Sequence, residues 1–543
     1  MQKRSTGSYT VFFKVMCALL SIILITCSCS REEEPPIDIN NSSLVPGANV
    51  LPDPDVEDDV PTADITMNLP VFGSMHPLEK QTKEVKNFFS LIFEPAVMMK
   101  SNGEFVSCVI DNWTISSNER EYTFRVRSNV TFHDPSYGTV TADDIIFCIE
   151  YIRESETASL HEYSDGIESI EKLSDNTIKI VTAEKKHNLF DLLGFYVIPK
   201  AYYENKDKDT DATPIGTGPY KVESMVKEES VLLQVNSTWW KNSPDFRSIR
   251  FIKVDPKDIY LGSDKISQFD ILYTEDYTNG SLISDRSKNF YTIHTSSLYC
   301  LIPNVYNPVM SKKDARKAVA YGINRNRLIN SAMLGLGEAT FTPLNDSYWA
   351  LNVYEETTAN HDSLICNQYL KNLGYSTEDD EESKWMSVSI LYCNSAYTYD
   401  LNKMIAECIA DDLRSNHIKV NLIGKEKEEY EKTLESGSFQ LALCVIDTSE
   451  DNDLTQVFNE YNYGHFFNKD LMTAMYECRR AINNEDIKEK YSKLQGLVDE
   501  EMPIIGLFFE ENLLLTSRKI SITEKLMYDN IFFKINEWSY LEG

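Results

Sequence analysis

The densest run of acids beside an apolar segment lies in the C-terminal third. FQLALCVID (Phe439 to Asp447) is followed by TSEDND, so Asp447, Glu450, Asp451 and Asp453 crowd the end of an apolar run. A carboxylate facing a cation in a desolvated cleft makes a strong charge-assisted bond. A solvated acidic loop is the plain alternative. Other reactive groups point away from catalysis. Gly216 and Gly218 in PIGTGPYKV invite a phosphate-loop reading, but no Lys and Ser/Thr follow them. A structural turn is the better account. In TADD, Thr141 to Asp144, the acids favour the positive end of a helix that Thr141 caps. The histidines (His76, His133, His161, His187, His294, His361, His417 and His465) form no H-E-x-x-H pair. No G-x-S-x-G is present either, so the sequence carries no hydrolase signature and no metal or cofactor is expected.

The elements that must position the acids are legible around them. Met386, Val388, Ile390 and Tyr392 alternate with polar neighbours, as a strand does. Met404, Ile405, Cys408, Ile409 and Leu413 then recur at helical spacing. Ile418, Val420 and Leu422 alternate again, a charged helix (KEKEEYEKTLES) follows, and Gly437 ends it before the strand at Phe439. Strand, helix, strand, helix, strand demands right-handed crossovers and a parallel sheet covered on both faces. In such sheets ligands sit beyond the carboxyl ends of the strands, which selects the segments after Cys393 and Ile446. Further on, Leu471, Met475, Cys478 and Ile482 form one helical stripe, and Ile487, Tyr491, Leu494 and Val498 another. Pro503 ends the second, and IIGLFF reads as a buried strand. Ser311 to Asp314 (SKKD) resembles a capping box. The N-terminal half is richer in short strands (YTFRVR, TIKIV, SVLLQV).

The chain begins with Lys3 and Arg4, then the twelve-residue apolar run Val15 to Thr26, and then LITCSCS. The run is short for a membrane span, which takes about 20 apolar residues. It reads as a secretory signal over 1–28 ending at a lipidated cysteine, Cys29 or else Cys27. A cleaved signal without lipid, or an uncleaved anchor, are the alternatives. Residues 29–62 carry six prolines and many acids. They bury too little to offset chain entropy and read as a tether. About 480 residues remain, enough for two or three lobes. The formal charge is −31, and loss of Lys3, Arg4 and Lys14 with the signal takes it to −34. Such a body repels phosphate backbones, so nucleic acid is not an expected partner. Beyond the signal stand Cys108, Cys148, Cys300, Cys366, Cys393, Cys408, Cys444 and Cys478, with no metal-ligand spacing. They are expected to be mostly buried, reduced thiols, with disulfides as the alternative.

Several blocks now resemble one family in order and spacing. Phe124 to Arg127, Phe132 to Pro135 and Thr141 to Ile145 resemble the F-x-L-R, F-H-D-G and T-A-D-D-V blocks of family 5 extracellular solute-binding proteins, which serve peptide and nickel ABC importers. Pro135 replaces the usual Gly. PIGTGPYKV resembles the G-T-G-P-Y turn, NSTWWKNSPDF (with Trp239 and Trp240) the N-x-x-Y-W segment, and KKDARKAVAYGINRNRLI the R-x-A-x-x-x-A-I-D-R helix, with Asn324 replacing Asp. LKNLGYS, GSFQLAL and DEEMPIIGLFF are similar to weaker blocks. The resemblance runs from about residue 64 to 515.

The resemblance implies an α/β, type II periplasmic-binding-protein-like clamshell: two main lobes, an extra lobe, and a hinge where the chain crosses repeatedly. Lobe I would take 63–94, 214–296 and 490–543, lobe II 95–213, and lobe III 297–489. It also implies capture of short peptides without chemistry, ABC permease transmembrane subunits as partners, a monomer, and a lipid anchor on the extracytoplasmic side of the cell envelope. An oligosaccharide, a nickel complex or a peptide signal are the alternative ligands. In peptide-binding relatives an Asp beyond the third strand pairs with the ligand ammonium. An ungapped count puts Ser449 at that position, with Asp447, Glu450 and Asp451 as displaced candidates. Asn304, Tyr306 and Asn307 fall where relatives place an extended segment near the cleft.

Overall fold

The computed structural model describes residues 63–541 except 73, 100–103, 186–188, 207–211, 227, 261–263, 275–286, 346–347, 353–360, 379–381, 395–398, 449–451, 482, 524–525 and 527–529. The signal and tether, with Cys27 and Cys29, lie outside the described residues, as do Ser449, Glu450, Asp451, His187 and Ile482.

The N-terminal elements are β1 (Ala63–Asn68), α1 (Lys83–Ser90), β2 (Ile110–Ile115), β3 (Glu121–Val126), α2 (Ala142–Glu154), β4 (Ile167–Ser174) and β5 (Thr177–Thr182). Strands β2, β3, β5 and β4 form, in that order, a separate antiparallel sheet. Next come β6 (Tyr220–Val226), β7 (Ser230–Val235), β8 (Phe246–Ile252), β9 (Ile271–Thr274) and the long β10 (Lys288–Pro303). The C-terminal part holds α3 (Lys313–Gly322), α4 (Arg325–Ala332), β11 (Gly337–Ala339), β12 (Met386–Asn394), α5 (Tyr399–Ser415) and β13 (Ile418–Glu426). It ends with α6 (Lys427–Glu435), β14 (Leu441–Asp447), α7 (Leu454–Glu460), α8 (Lys469–Arg479), α9 (Asn484–Glu501) and β15 (Ile505–Ser517). One mixed sheet runs β13-β12-β14-β10-β15-β9-β1-β8-β7-β6, with β11 on β15.

The expected parallel unit is present: β12 pairs in parallel with both β13 and β14. Met386, Val388 and Ile390 point into a core shared with α3, α4 and α5. Leu391, Ala442, Cys444 and Ile446 point into another, shared with α6 to α9. Helices therefore cover both faces, which is why these strands are apolar on both sides. A further core joins residues 63–293 to the chain's end at Leu514, Ile520, Phe532 and Trp538. The main sheet and the four-stranded sheet both contribute to it. The lobe boundary expected at 489/490 falls inside α9. Its stripe of Ile487, Tyr491, Leu494 and Val498 packs with α8 as one unit, so a cut there would divide a continuous buried face. Met502 stops α9 in the left-handed conformation (φ 46°), just before Pro503.

The family blocks hold the fold together. Gly218 N–H donates to Ile92 O at 2.8 Å and Tyr220 N–H to Leu91 O at 2.9 Å. A Cβ on Gly216 would stand 2.2 Å from Ile92 O, and one on Gly218 2.7 Å from Ile92 C. Only glycine allows this approach. His133 completes the joint. Its Nε2 lies 3.0 Å from Gly218 O, and its Nδ1 accepts the Gly216 N–H at 3.3 Å. The ring is thus the neutral Nε2–H tautomer, and burial pushes its pKa down to about 4. Thr141 and Asp144 form the expected cap, with Asp144 Oδ2 accepting Thr141 N–H at 2.8 Å; Oδ1 also takes Lys200 N–H at 2.9 Å. The SKKD capping box does not form. Lys312 is the N-cap, and Ser311 Oγ turns back to Pro308 O at 3.1 Å. Asn307 Oδ1 instead takes Val309 N–H at 3.0 Å, so the turn is fixed one step earlier. Trp240 packs, with Nε1–H on the buried Glu94 carboxylate at 2.8 Å and Arg127 over its ring. The eight thiols are unpaired; six are buried, and Cys393 and Cys408 half-buried.

Candidate functional site

Strand β10 is the link between the halves. From Lys288 to His294 it pairs with the part of β15 nearer the first core; from Leu298 it pairs with Phe509 to Ile505. The register slips between His294 and Leu298, a bulge that bends and twists the strands locally. Three side chains from three strands meet there. His294 Nδ1 lies 3.2 Å from Glu338 of β11 and 3.3 Å from Glu511 of β15. Desolvation, then the neighbouring Glu338, raise the Glu511 pKa, while His294 opposes them.

Within the slip, Ser297 stands opposite Asp447, at the carboxyl end of β14. Asp447 is exposed and accepts a hydrogen bond from Ser296 Oγ. Lys83, from the first turn of α1, donates to the same Ser296 Oγ at 3.0 Å. A cation from the first core, a hydroxyl from the linking strand and a carboxylate from the C-terminal part thus meet at one point. The loop after Asp447 is pinned at both ends. Thr448 donates through N–H and Oγ1 to Ser296 O, at 2.9 and 3.1 Å. Asn452 is buried in the left-handed region (φ 55°) and exchanges hydrogen bonds with the Asn345 backbone. Asp453 caps α7 through Thr455 N–H at 2.9 Å and receives Arg479 Nε.

The structure does not bring Asn304, Tyr306 and Asn307 to this point. Asn304 pairs with Gln440, at the opposite end of β14. That is seven residues along β10 from Ser297, roughly 23 Å in an extended chain. Asn304 Nδ2 is committed to Gly437 O (2.7 Å) and Phe439 O (3.1 Å), and exposed Tyr306 stacks on His465. These groups fix turns at the amino end of β14, whereas the cleft rule concerns the carboxyl end. Sequence reasoning missed Lys83 and Ser296. They stand 213 residues apart, and no local pattern marks either.

A cavity of about 110 Å³ adjoins the acidic loop, between Met99, Glu162 and Tyr163 on one side and Asn452, Arg479 and Tyr491 on the other. Among the described residues no group of three or more His, Cys, Asp or Glu side chains is placed to hold a metal ion, and no helix is long and apolar enough to cross a membrane. A polar point thus stands at the carboxyl end of the parallel unit, beside strands that link two cored halves.

Comparison with known proteins places the chain in a family. Residues 104–465, more than half of the chain, match the model for bacterial extracellular solute-binding proteins, family 5. The chain belongs to this family. Di/tripeptide-binding protein 1 of Pseudomonas aeruginosa is 24% identical over 438 residues, covering 73% of this chain and 78% of that one. Heme-binding protein A of Haemophilus influenzae is 23% identical over 442 residues, covering 75% and 79%. The fold is that of the crystal structure of NikZ from Campylobacter jejuni in complex with Ni(L-His), with TM-score 0.66, 19% identity, and 89% and 100% of the two chains covered.

Proposed function

We propose that this protein is the capture subunit of an ABC importer for short peptides, tethered by lipid on Cys29 or Cys27 to the extracytoplasmic side of a membrane. It acts as a monomer. The lobe carrying β12–β14 closes on the rest by bending β10 and β15 at the 294–298 slip, and the closed form is what the permease reads. The single observation that carries the reading is Asp447. It is an exposed carboxylate at the carboxyl end of a parallel strand, next to the link, facing a group from the other half. In a closed, desolvated cleft it would pair with a ligand ammonium. Asp451, Glu450 and Ser449 are the neighbouring candidates on the same loop. The peptide-binding relative supports this ligand class, and the heme- and nickel-binding ones keep a non-peptide solute as the competing class.

Mass spectrometry of solutes co-purifying with the native protein, followed by calorimetry with a dipeptide and tripeptide library, tests the reading. Short peptides are expected to bind with nanomolar to micromolar Kd and no turnover. Asp447→Ala should weaken them at least tenfold, against a smaller loss for Glu450→Ala. Heat with Ni–histidine, heme or an oligosaccharide but none with peptides would replace the ligand class.

A further inference from the structure

Two adjacent arginines at the end of α8 cross to the other half of the molecule. Arg480 Nη2 reaches Glu184, just past β5, and its Nη1 donates to Tyr476 Oη at 2.7 Å. Arg479 does more. Its guanidinium is on the Asp453 carboxylate, and its Nη2 lies 3.8 Å from Glu162, in the turn 161–164 that follows α2. Asp453 is the residue on which the acidic loop ends and α7 begins. One side chain therefore touches both the anchor of the loop that starts at Asp447 and the opposite wall of the adjoining cavity. A planar guanidinium with five donors suits this double task; an ammonium would serve one carboxylate well. The chain holds 84 acids against 53 basic residues, so like-signed encounters between halves would be acid on acid more often than base on base. Two cations meeting Glu162 and Glu184 across the gap are thus a sign-matched pair of contacts.

We propose that Arg479 is a positioning residue for solute capture. Through Asp453 it holds the start of α7, and through Glu162 it ties that helix to the facing half, so the order of residues 452–458 and the approach of the halves are one event. Arg480 with Glu184 is a second tie between the halves. The inference rests on the clamshell reading, but its test needs no ligand. The probe is amide hydrogen exchange of the mature protein, read on peptides covering 452–458 and 161–166.

Glu162→Gln is the decisive variant, because Glu162 is exposed and its ion pair is with Arg479, so the fold should survive; an unchanged Tm checks this. If Arg479 merely supports the Asp453 cap of α7, Glu162→Gln leaves exchange in 452–458 unchanged, and that result overturns the proposal. If the two contacts are coupled, exchange there rises about two- to fivefold, the range expected for one exposed ion pair. The same rise should appear in wild type between 20 and 500 mM KCl and be absent in Glu162→Gln. Arg480→Gln should loosen 161–166 with little effect on 452–458; equal effects on both segments would also count against a special role for Arg479. Peptide binding that fails while the exchange coupling appears would reject the ligand class and leave this inference standing.

Discussion

Protonation of His133 should loosen the joint between the F-H-D and G-T-G-P-Y blocks, and its size can be worked from the structure. The neutral ring donates from Nε2 and accepts at Nδ1, so a second proton would set a donor against the Gly216 N–H. The folded pKa is lowered from 6.5 to about 4, chiefly by burial, against a helping bond to Gly218 O. A depressed folded pKa means that the unfolded chain binds more protons between pH 6.5 and 4, so stability is present above this window and lost as pH falls through it. The shift corresponds to about 3 kcal/mol, a ceiling because the residue as a whole is only half-buried. Carboxylates titrate in the same range, so the comparison must be with His133→Gln, in which every other group is retained. Urea unfolding at pH 7.5, 6.5, 5.5, 4.5 and 4.0 supplies the free energies. Wild type should exceed the variant by roughly 1–3 kcal/mol at pH 7.5, the cost of losing two buried hydrogen bonds. The gap should shrink steadily and close or invert near pH 4. A gap constant within about 0.5 kcal/mol across the series would refute the neutral, buried assignment.

Three further outcomes follow from the packing. Gly218→Ala should cost about 3 kcal/mol in urea unfolding, since its Cβ would meet the Ile92 and Leu91 backbone below 3 Å, and Gly216→Ala should cost at least as much. A cost below 0.5 kcal/mol would mean that the turn yields freely. Arg325 is fully buried and donates to Thr340 O, Gly506 O, Ala320 O and Ile323 O. Arg325→Met should therefore lose about 3–5 kcal/mol by stranding those carbonyls, and unchanged stability would contradict their dependence on it. Iodoacetamide at pH 8, read by peptide mapping, should modify Cys393 and Cys408 first among the eight body thiols, leaving Cys108, Cys300 and Cys444 untouched until unfolding; early labelling of Cys300 would be inconsistent with its burial.

Much of the fold was legible because its signals are local. Alternation at Met386 to Tyr392 and at Ile418 to Leu422, with a helical stripe between, required a parallel unit, and the pairing is parallel. The stripe Ile487 to Val498 fixed a buried helix face in the same way. Where a local pattern had two solutions, the neighbours chose. SKKD could cap a helix, but Asn307 had already closed the preceding turn. The segment around Asn304, expected near the cleft, lies at the opposite end of the β10–β14 pairing from Ser297. Antiparallel pairing of β10 with β14 sends one strand's start to the other's finish, and no property of Asn304 itself encodes that.

The sequence by itself pointed to the family, through blocks such as G-T-G-P-Y, whose two glycines stand where a Cβ would collide with the Ile92 backbone. It also determined which strand would end in acids. Only the tertiary structure decided what those acids face. Ser296 joins Lys83 to Asp447, and Arg479 joins Asp453 to Glu162, from segments hundreds of residues apart. Side-chain encounters at such separations are set by how the sheet twists and the halves pack, and the chain's local periodicity carries no record of them.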